Sequence, residues 1–411
     1  MRIRRLGGDR AGEIRLTRLL RNRAVTPEAM VAEAASRTAE RCAGLHVLVL
    51  QDTTVVRSEG GGGLYLHPGL AVDAASGSIL GLTHAVFLSR TQGQKADRRS
   101  KPIAAKESWR WLETAARSAE ICAGAARLTV IGDRENDIFQ AFARRPPGAD
   151  LLVRAAHDRA LEDGGRLFAM VDALPVAGRA ELDLPAGPGR KARKVTLAVR
   201  FTTAQLARPH NGLREDMPAS LAVTVVDVRE QAPPAGHSPV HWRLLTTHAV
   251  TNGVEAFAVA NLYRRRWAIE QLFRTLKTQG FDIEGLRVEG EAPLRNLVMA
   301  ALIAAITIQQ LVHARDGQAA APGPLRPLTD AFEPEDKPLL QAFCARLEGK
   351  TERQKNPHPK GSLAYAAWVC ARLGGWTGYY GKPGPIVILE GWLEIQTAKR
   401  AINLLGHKLN V

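Results

Sequence analysis

The run Leu45-His46-Val47-Leu48-Val49-Leu50, closed by Gln51-Asp52-Thr53-Thr54, decides the fold class. Its apolar residues are nearly continuous rather than alternating, and polar residues bound it, which is the pattern of a strand buried on both faces. A second run of this kind, Leu128-Thr129-Val130-Ile131, ends on Gly132-Asp133-Arg134-Glu135. Strands buried on both faces belong to sheets covered by helices, so an α/β architecture is expected. Both runs also end on an aspartate, where a side chain leaves a rigid strand for solvent. Aspartate closes many strands simply as a turn residue, so neither position identifies a site alone.

Working outward, residues 14–44 read as helical, with Thr26 and Pro27 placed to start a helix. Strand-like runs separated by glycines occupy 64–88, and 104–126 reads as a helix carrying Trp109 and Trp111. The texture changes between 151 and 247. There, short β-branched pieces at 151–154, 195–201, 221–228 and 242–247 alternate with Pro/Gly turns, one of them the basic stretch 187–194. This is the pattern of a β-rich insertion. Helical periodicity returns at 254–279 and again in an apolar helix near 294–313. Pro322, Pro324, Pro327 and Pro334 mark a connection, and 336–411 is mostly helical, broken near 374–375 and 381–384.

The 411 residues contain 56 Lys and Arg against 41 Asp and Glu, a surplus of fifteen positive charges. That surplus points to a polyanionic partner, nucleic acid or an acidic membrane surface, without choosing between them. The longest apolar run, 297–308, falls short of the roughly 18–20 residues that cross a bilayer, so it is expected to be a buried helix. The first residues carry basic charge but no apolar stretch of a signal peptide. Cys42, Cys122, Cys344 and Cys370 form no C-x-x-C pair, which argues against a zinc knuckle or a disulfide framework and fits a reducing, cytoplasmic setting.

A third carboxylate comes from Tyr263-Arg264-Arg265-Arg266-Trp267-Ala268-Ile269-Glu270-Gln271-Leu272-Phe273-Arg274-Thr275-Leu276-Lys277. Read as one helix at about 100° per residue, Tyr263, Arg266, Glu270 and Lys277 share an arc of roughly 60°. Ala268, Ile269, Leu272 and Leu276 form a separate apolar face suited to packing on a sheet. A solvated helix shows similar i,i+4 charge pairs. Here, however, one carboxylate is outnumbered by Arg264, Arg265, Arg266, Arg274 and Lys277, as on a surface that tracks phosphates. Three carboxylates on a sheet and an adjoining helix can hold two Mg²⁺ ions roughly 3.5–4 Å apart, the arrangement that cuts phosphodiesters.

The spacing Tyr263-x-x-Arg266-x-x-x-Glu270-x-x-x-x-x-x-Lys277 resembles the Tyr-Arg-Glu-Lys signature of bacterial insertion-sequence transposases of the IS-four family, and most of all its Tn-five-type members. Gln51-Asp52-Thr53-Thr54 and Gly132-Asp133-Arg134-Glu135-Asn136-Asp137-Ile138 resemble that family's two aspartate motifs. Lys106-Glu107-Ser108, Arg154, and 361–363 through 371–375 resemble further blocks.

The resemblance implies an RNase H-like catalytic core, a mixed sheet flanked by helices, interrupted by a β-rich insertion and followed by an α-helical C-terminal region. The expected division is 1–44 as the remnant of an end-binding region, 45–150 and 248–315 as the two parts of the core, 151–247 as the insertion and 316–411 as a helical dimerisation region. The resemblance also implies a DDE transposase that cuts transposon-end DNA and joins it to target DNA as a homodimer. Asp52, Asp133 and Glu270 would be catalytic and hold two Mg²⁺ ions, for which Mn²⁺ would substitute. Trp242, Tyr263, Arg266, Arg274, Lys277 and Arg154 would bind DNA, with Trp242 stacking on a flipped base.

Arg90, Lys95, Arg98, Arg99, Lys101, Arg190, Lys191, Arg193 and Lys194 are further candidate DNA contacts, although charged loops are commonly just solvated. Only 51 residues precede Asp52. That leaves open a second reading, a non-catalysing regulator that inhibits transposition by dimerising, and a third, a host RNase H-like nuclease. The C-terminal helices with Trp368, Trp376 and Trp392 read equally as a dimer interface or as a plain core.

Overall fold

The computed structural model describes residues 6–59, 62–90, 102–184, 191–209, 217–317, 324–379 and 381–409. Helices α1 (Arg10–Leu20) and α2 (Pro27–Cys42) lead into strands β1 (His46–Gln51), β2 (Thr54–Glu59), β3 (Gly62–Asp73) and β4 (Ile79–Arg90). Next come α3 (Trp109–Ile121), β5 (Arg127–Gly132), α4 (Phe139–Ala143), β6 (Ala149–Arg154) and α5 (Leu167–Asp172). Four strands follow, β7 (Gly178–Leu184), β8 (Arg193–Ala207), β9 (Ser220–Glu230) and β10 (His241–Thr246). The chain ends in helices α6 (Gly253–Arg264), α7 (Trp267–Lys277), α8 (Glu291–Ala314), α9 (Lys337–Leu347), α10 (Leu363–Leu373) and α11 (Pro385–Leu409).

The ten strands join in one mixed sheet. At its centre β1 runs parallel to β5, and β5 parallel to β6. On one side β1 pairs antiparallel with β3, which pairs with β4. On the other, β6 pairs antiparallel with β10, and β9, β8 and β7 continue the sheet. With helices on both faces, this is the α/β RNase H-like core expected from sequence, followed by a helical C-terminal region. The β-rich segment differs from expectation in one respect. Its strands extend the core sheet itself, and residues 151–154 are the last four of the six residues of β6, a parallel core strand.

Side-chain alternation divides the buried residues between the two faces. Leu48, Leu50, Ile131, Leu152 and Leu244 point to the face covered by α6, α7 and α8. Val130, Leu151, Val153 and Leu245 point to the other, packing with Trp111 of α3 and Phe139 and Phe142 of α4. The apolar face foreseen on α7 is the one it buries: Ile269, Leu272 and Leu276 are fully enclosed and Ala268 nearly so. Each such Leu or Ile contributes roughly 1.5–3 kcal/mol by leaving water. Gln309 of α8 donates to the Thr275 hydroxyl of α7 at 2.7 Å, which fixes the two helices together.

The helix α8 is 24 residues long, twice the apolar run read from sequence, and passes the length and composition test for a membrane span. Two thirds of its most apolar window is buried inside the protein, as in a core helix. Its first half packs on the sheet, while Ile308 and Leu311 reach the separate core built by α9, α10 and α11. At the other end of the chain, the Thr26 hydroxyl accepts from the Ala29 amide and Pro27 occupies the first turn, so α2 starts where its cap residues place it.

Near the start of the parallel strands, Thr129 Oγ1 lies 2.9 Å from both His46 Nε2 and His248 Nε2, while Arg127 meets His248 Nδ1 at 2.8 Å. Burial pushes His248 down to about 4, with Asp150 opposing and Arg127 reinforcing the shift.

Leu272→Ala should lower stability by about 2–5 kcal/mol in chemical denaturation, since the rigid sheet beneath α7 cannot close the cavity. Because His248 has a depressed folded pKa, its neutral form stabilises the protein above pH 6.5, and this is lost as pH falls from 6.5 to about 4. His248→Gln should therefore flatten the pH dependence of unfolding free energy in that window, by at most roughly 3 kcal/mol across it.

Candidate active site

The register of the parallel strands assembles the site. Leu50 pairs with Ile131, so two residues further on Asp52 comes beside Asp133. Gly132 pairs with Val153, so Asp133 in turn comes beside Arg154. Neighbouring strands lie about 4.8 Å apart. Alternation after Leu50, Ile131 and Leu152 turns all three side chains toward the face that α7 covers.

Strand β1 stops at Asp52 for a local reason. Strands β1 and β2 share one register on β3, Gln51 against Gly69 and Thr54 against Leu66, which leaves Asp52 opposite Pro68. Proline has no N–H to give the ladder, so pairing lapses there. Asp52 then accepts from the Thr53 amide at 2.8 Å. Asp133 caps the short turn Arg134–Asn136 by accepting from the Glu135 amide at 2.8 Å. Gly132 is needed beneath that turn, because a Cβ there would lie 2.5 Å from the Asn136 side chain.

From the turn that leads into α7, Arg266 spans two acids. Its Nη1 donates to Asp52 Oδ2 at 2.9 Å and its Nη2 to Glu270 Oε1 at 2.6 Å, with the guanidinium side chain only 15% exposed. Burial raises the Asp52 carboxyl above its ordinary range; Arg266 opposes this and Asp133 adds to it. Burial raises Glu270 as well, again opposed by Arg266 and reinforced by Asp52. Arg266 itself is held strongly protonated, since Tyr263, Asp52 and Glu270 together outweigh the effect of burial. Among the described residues, no three His, Cys, Asp or Glu side chains close into a metal-binding cluster. The donor set is nonetheless that of a hard cation: carboxylate oxygens at two strand ends and one from the helix above, at present bridged by a guanidinium.

The remaining residues picked from sequence occupy varied surroundings. Tyr263 is buried in the core beside Arg266, and burial raises its phenol. The single helix expected across 263–277 is broken: Arg265 and Arg266 form a tight turn, with their amides bonded three residues back to Leu262 and Tyr263. A single helical wheel therefore does not describe the segment. Arg265 lies against the β3–β4 turn at Gly77, whose φ of 76° and lack of a Cβ admit the guanidinium.

Arg154 donates to the His241 carbonyl at 2.9 Å, and burial lowers its pKa, with Arg134 reinforcing the effect. Trp242 is half-buried on β10, on the same sheet face as Arg154 and Leu244. Arg274 is exposed, its guanidinium 5.1 Å from the ring of Trp267, itself 49% exposed. Lys277 is paired with Glu284 at 2.6 Å. Among the basic loop residues, Arg90 pairs with Glu107 and lies over the Tyr65 ring. Arg193 pairs with Glu230, Lys194 pairs with Glu181, and Lys191 is exposed. Lys95, Arg98, Arg99, Lys101 and Arg190 lie outside the described residues.

A family model described as a transposase DDE domain matches residues 67–307. The chain belongs to the DDE transposase family. Asp133 and Glu270 lie inside the matched stretch, and Asp52 lies upstream of it, brought to Asp133 by the β1–β5 pairing and linked to Glu270 through Arg266.

The transposase core also holds polar residues to which reading of the sequence assigned no role of their own. Arg110, on the first turn of α3 and 5% exposed, donates to Thr53 Oγ1 at 3.0 Å and to Glu135 Oε2 at 2.5 Å. Thr53 Oγ1 also lies 2.9 Å from His67 Nδ1. Asp137 is fully buried; it accepts from the amides of Ala156 and His157 at 2.7 and 3.0 Å and from Arg159 Nε at 2.8 Å. It thereby ties the loop after β5 to the loop after β6. No periodicity marks these residues, whose partners are distant in the chain. The available signal was the density of polar residues around each aspartate.

Asp137→Ala should strip Arg159 of its buried partner and destabilise the protein by about 3–5 kcal/mol, seen as a lower denaturation midpoint. A loss under about 1 kcal/mol would show that the two loops hold together without it.

Proposed function

We propose that this transposase moves an insertion sequence of the IS-four family, Tn-five type, by cut-and-paste transposition. The observation that carries the reading is the meeting of Asp52, Asp133 and Glu270 at one sheet edge, with Arg154 and Arg266 beside them. Asp52, Asp133 and Glu270 would hold divalent ions, Mg²⁺ with Mn²⁺ as substitute, which when bound activate the attacking oxygen and stabilise the leaving one.

The protein's own groups orient the phosphodiester around that centre. Arg266 would exchange its carboxylate partners for phosphate oxygens, and Arg154, Lys277, Arg274 and Tyr263 would fix the backbone on either side. Arginine suits this task because its planar fork matches phosphate oxygens. Trp242 would stack on a base turned out of the duplex, offsetting its unstacking by about 1–3 kcal/mol.

The reaction is a series of in-line displacements at phosphorus. Water attacks the phosphodiester at the transposon end and frees a 3′-hydroxyl. That hydroxyl attacks the opposite strand to give a hairpin and expels the 3′-hydroxyl of the flanking DNA, a second water reopens the hairpin, and the 3′-hydroxyl then attacks target DNA and expels a target 3′-hydroxyl. Two copies would hold two ends. Leu393, Ile402, Leu404 and Leu405, exposed along α11, support residues 316–411 as the dimerisation region. The site of action would be bacterial DNA in the cytoplasm.

The test is cleavage of a supercoiled plasmid carrying paired terminal repeats taken from the DNA that flanks the reading frame, with Mg²⁺. Asp133→Ala should lower nicking by about 10³-fold or more, because removing a ligand forfeits several kcal/mol of transition-state stabilisation. Full activity in that variant would sink the assignment. Cleavage indifferent to the repeats would favour a host nuclease, and repeat binding without cleavage a regulator.

A further inference from the structure

Each aspartate at the sheet edge accepts a hydrogen bond from the backbone of a neighbouring residue, and the side chains of both neighbours are fastened to one guanidinium. Asp52 accepts from the amide of Thr53, whose hydroxyl accepts from Arg110 Nε at 3.0 Å. Asp133 accepts from the amide of Glu135, whose carboxylate accepts from Arg110 Nη2 at 2.5 Å. The third arm, Nη1, donates to the Glu107 carbonyl at 3.0 Å and anchors the guanidinium at the start of α3. We propose that Arg110 is a positioning residue that sets the separation and orientation of Asp52 and Asp133. This rests on the reading of those two as the metal-holding pair.

The geometry excludes a direct role in contacting DNA. Thr53 alternates away from Asp52, so it faces with Val49 and Gln51 toward α3, and Arg110 holds it from behind the sheet. The guanidinium is enclosed, its pKa lowered by burial with Glu135 and Glu107 opposing. A buried arginine that served stability alone would need only one carboxylate. Arg110 instead divides its donors between the two aspartate-bearing segments and its own helix. These segments come from strands 81 residues apart in register (131 − 50), and the fork links them just beyond the last backbone pairing. A planar fork can hold two acceptors at a set angle, whereas an ammonium is a single point charge.

The experiment uses the full chain carrying Arg110→Met, Arg110→Lys, Glu135→Gln or Asp133→Ala, and the paired-repeat plasmid as substrate. It measures single-turnover cleavage, KM for DNA, direct Mn²⁺ binding by electron paramagnetic resonance in the absence of DNA, and thermal melting. Arg110→Met and Glu135→Gln should slow cleavage by about 10–100-fold, the cost of a displacement of an ångström or less, with KM little changed. Both should weaken Mn²⁺ binding, and the double variant should be no worse than Arg110→Met, as expected for one shared link. Arg110→Lys should recover part of the rate.

Glu135 is 59% exposed, so Glu135→Gln is informative even if Arg110→Met fails to fold. A folded Glu135→Gln with the wild-type cleavage rate and Mn²⁺ affinity overturns the proposal. If Asp133→Ala is inactive while the Arg110 and Glu135 variants are unaffected, the positioning role alone falls. If Asp133→Ala is active, the reading of the acid pair falls and the positioning role with it.

Discussion

Two carboxylates one strand spacing apart repel each other, and at a half-buried edge the repulsion is poorly screened. At about 5 Å and an effective dielectric near 20 it amounts to roughly 3 kcal/mol. Pairing of β1 with β5 enforces that proximity for Asp52 and Asp133, because slipping the register by one residue would turn the whole apolar set of either strand to the wrong face. The charge has to be balanced from outside the sheet. Arg266 does so from the turn that leads into α7, and because it also holds Glu270, the balancing cation brings the third acid to Asp52. Burial raises the carboxyls of Asp52 and Glu270, and the neighbouring acids add to the rise.

Much of the rest of the core holds that arrangement in place. Ile269, Leu272 and Leu276 seat α7 on the sheet, and Gln309 locks it to α8. The break at Arg265–Arg266 lets Tyr263 enter the core while Arg266 reaches the sheet edge. Behind the strands, Arg110 and Asp137 fasten the loops that carry the aspartates. Buried ionic groups of this kind add little net stability over well-packed apolar ones. In the mechanism we propose their value is geometric, since a phosphodiester would gain from acids whose positions are settled before it arrives.

Reading of the sequence reached some of this. The two apolar runs were legible because strands buried on both faces have no other composition available to them. The aspartates stood out as the residues that end those runs. The apolar face of α7 followed from its periodicity, and the start of α2 from Thr26 and Pro27. Other features left no local trace. Nothing in 263–277 announces the tight turn, because no proline or glycine interrupts it. Lys277 read as a candidate DNA contact, and only the fold places Glu284 beside it. Strands β8 to β10 read as a β-rich insertion because sequence shows strands and turns but not which edge they join.

The sequence by itself determined the α/β class, the strand-ending aspartates, the glutamate helix with its buried stripe, and the excess of positive charge. All of these are carried by composition or by periods of a few residues, which the backbone geometry of helix and strand imposes directly. The tertiary structure alone decided that Asp52 lies level with Asp133 and Arg154, that Arg266 bridges Asp52 to Glu270, and that Arg110 stands behind both aspartates. Those relations depend on strand register and helix packing between segments far apart in the chain, set by the burial of whole faces at once, and no short window of residues contains them.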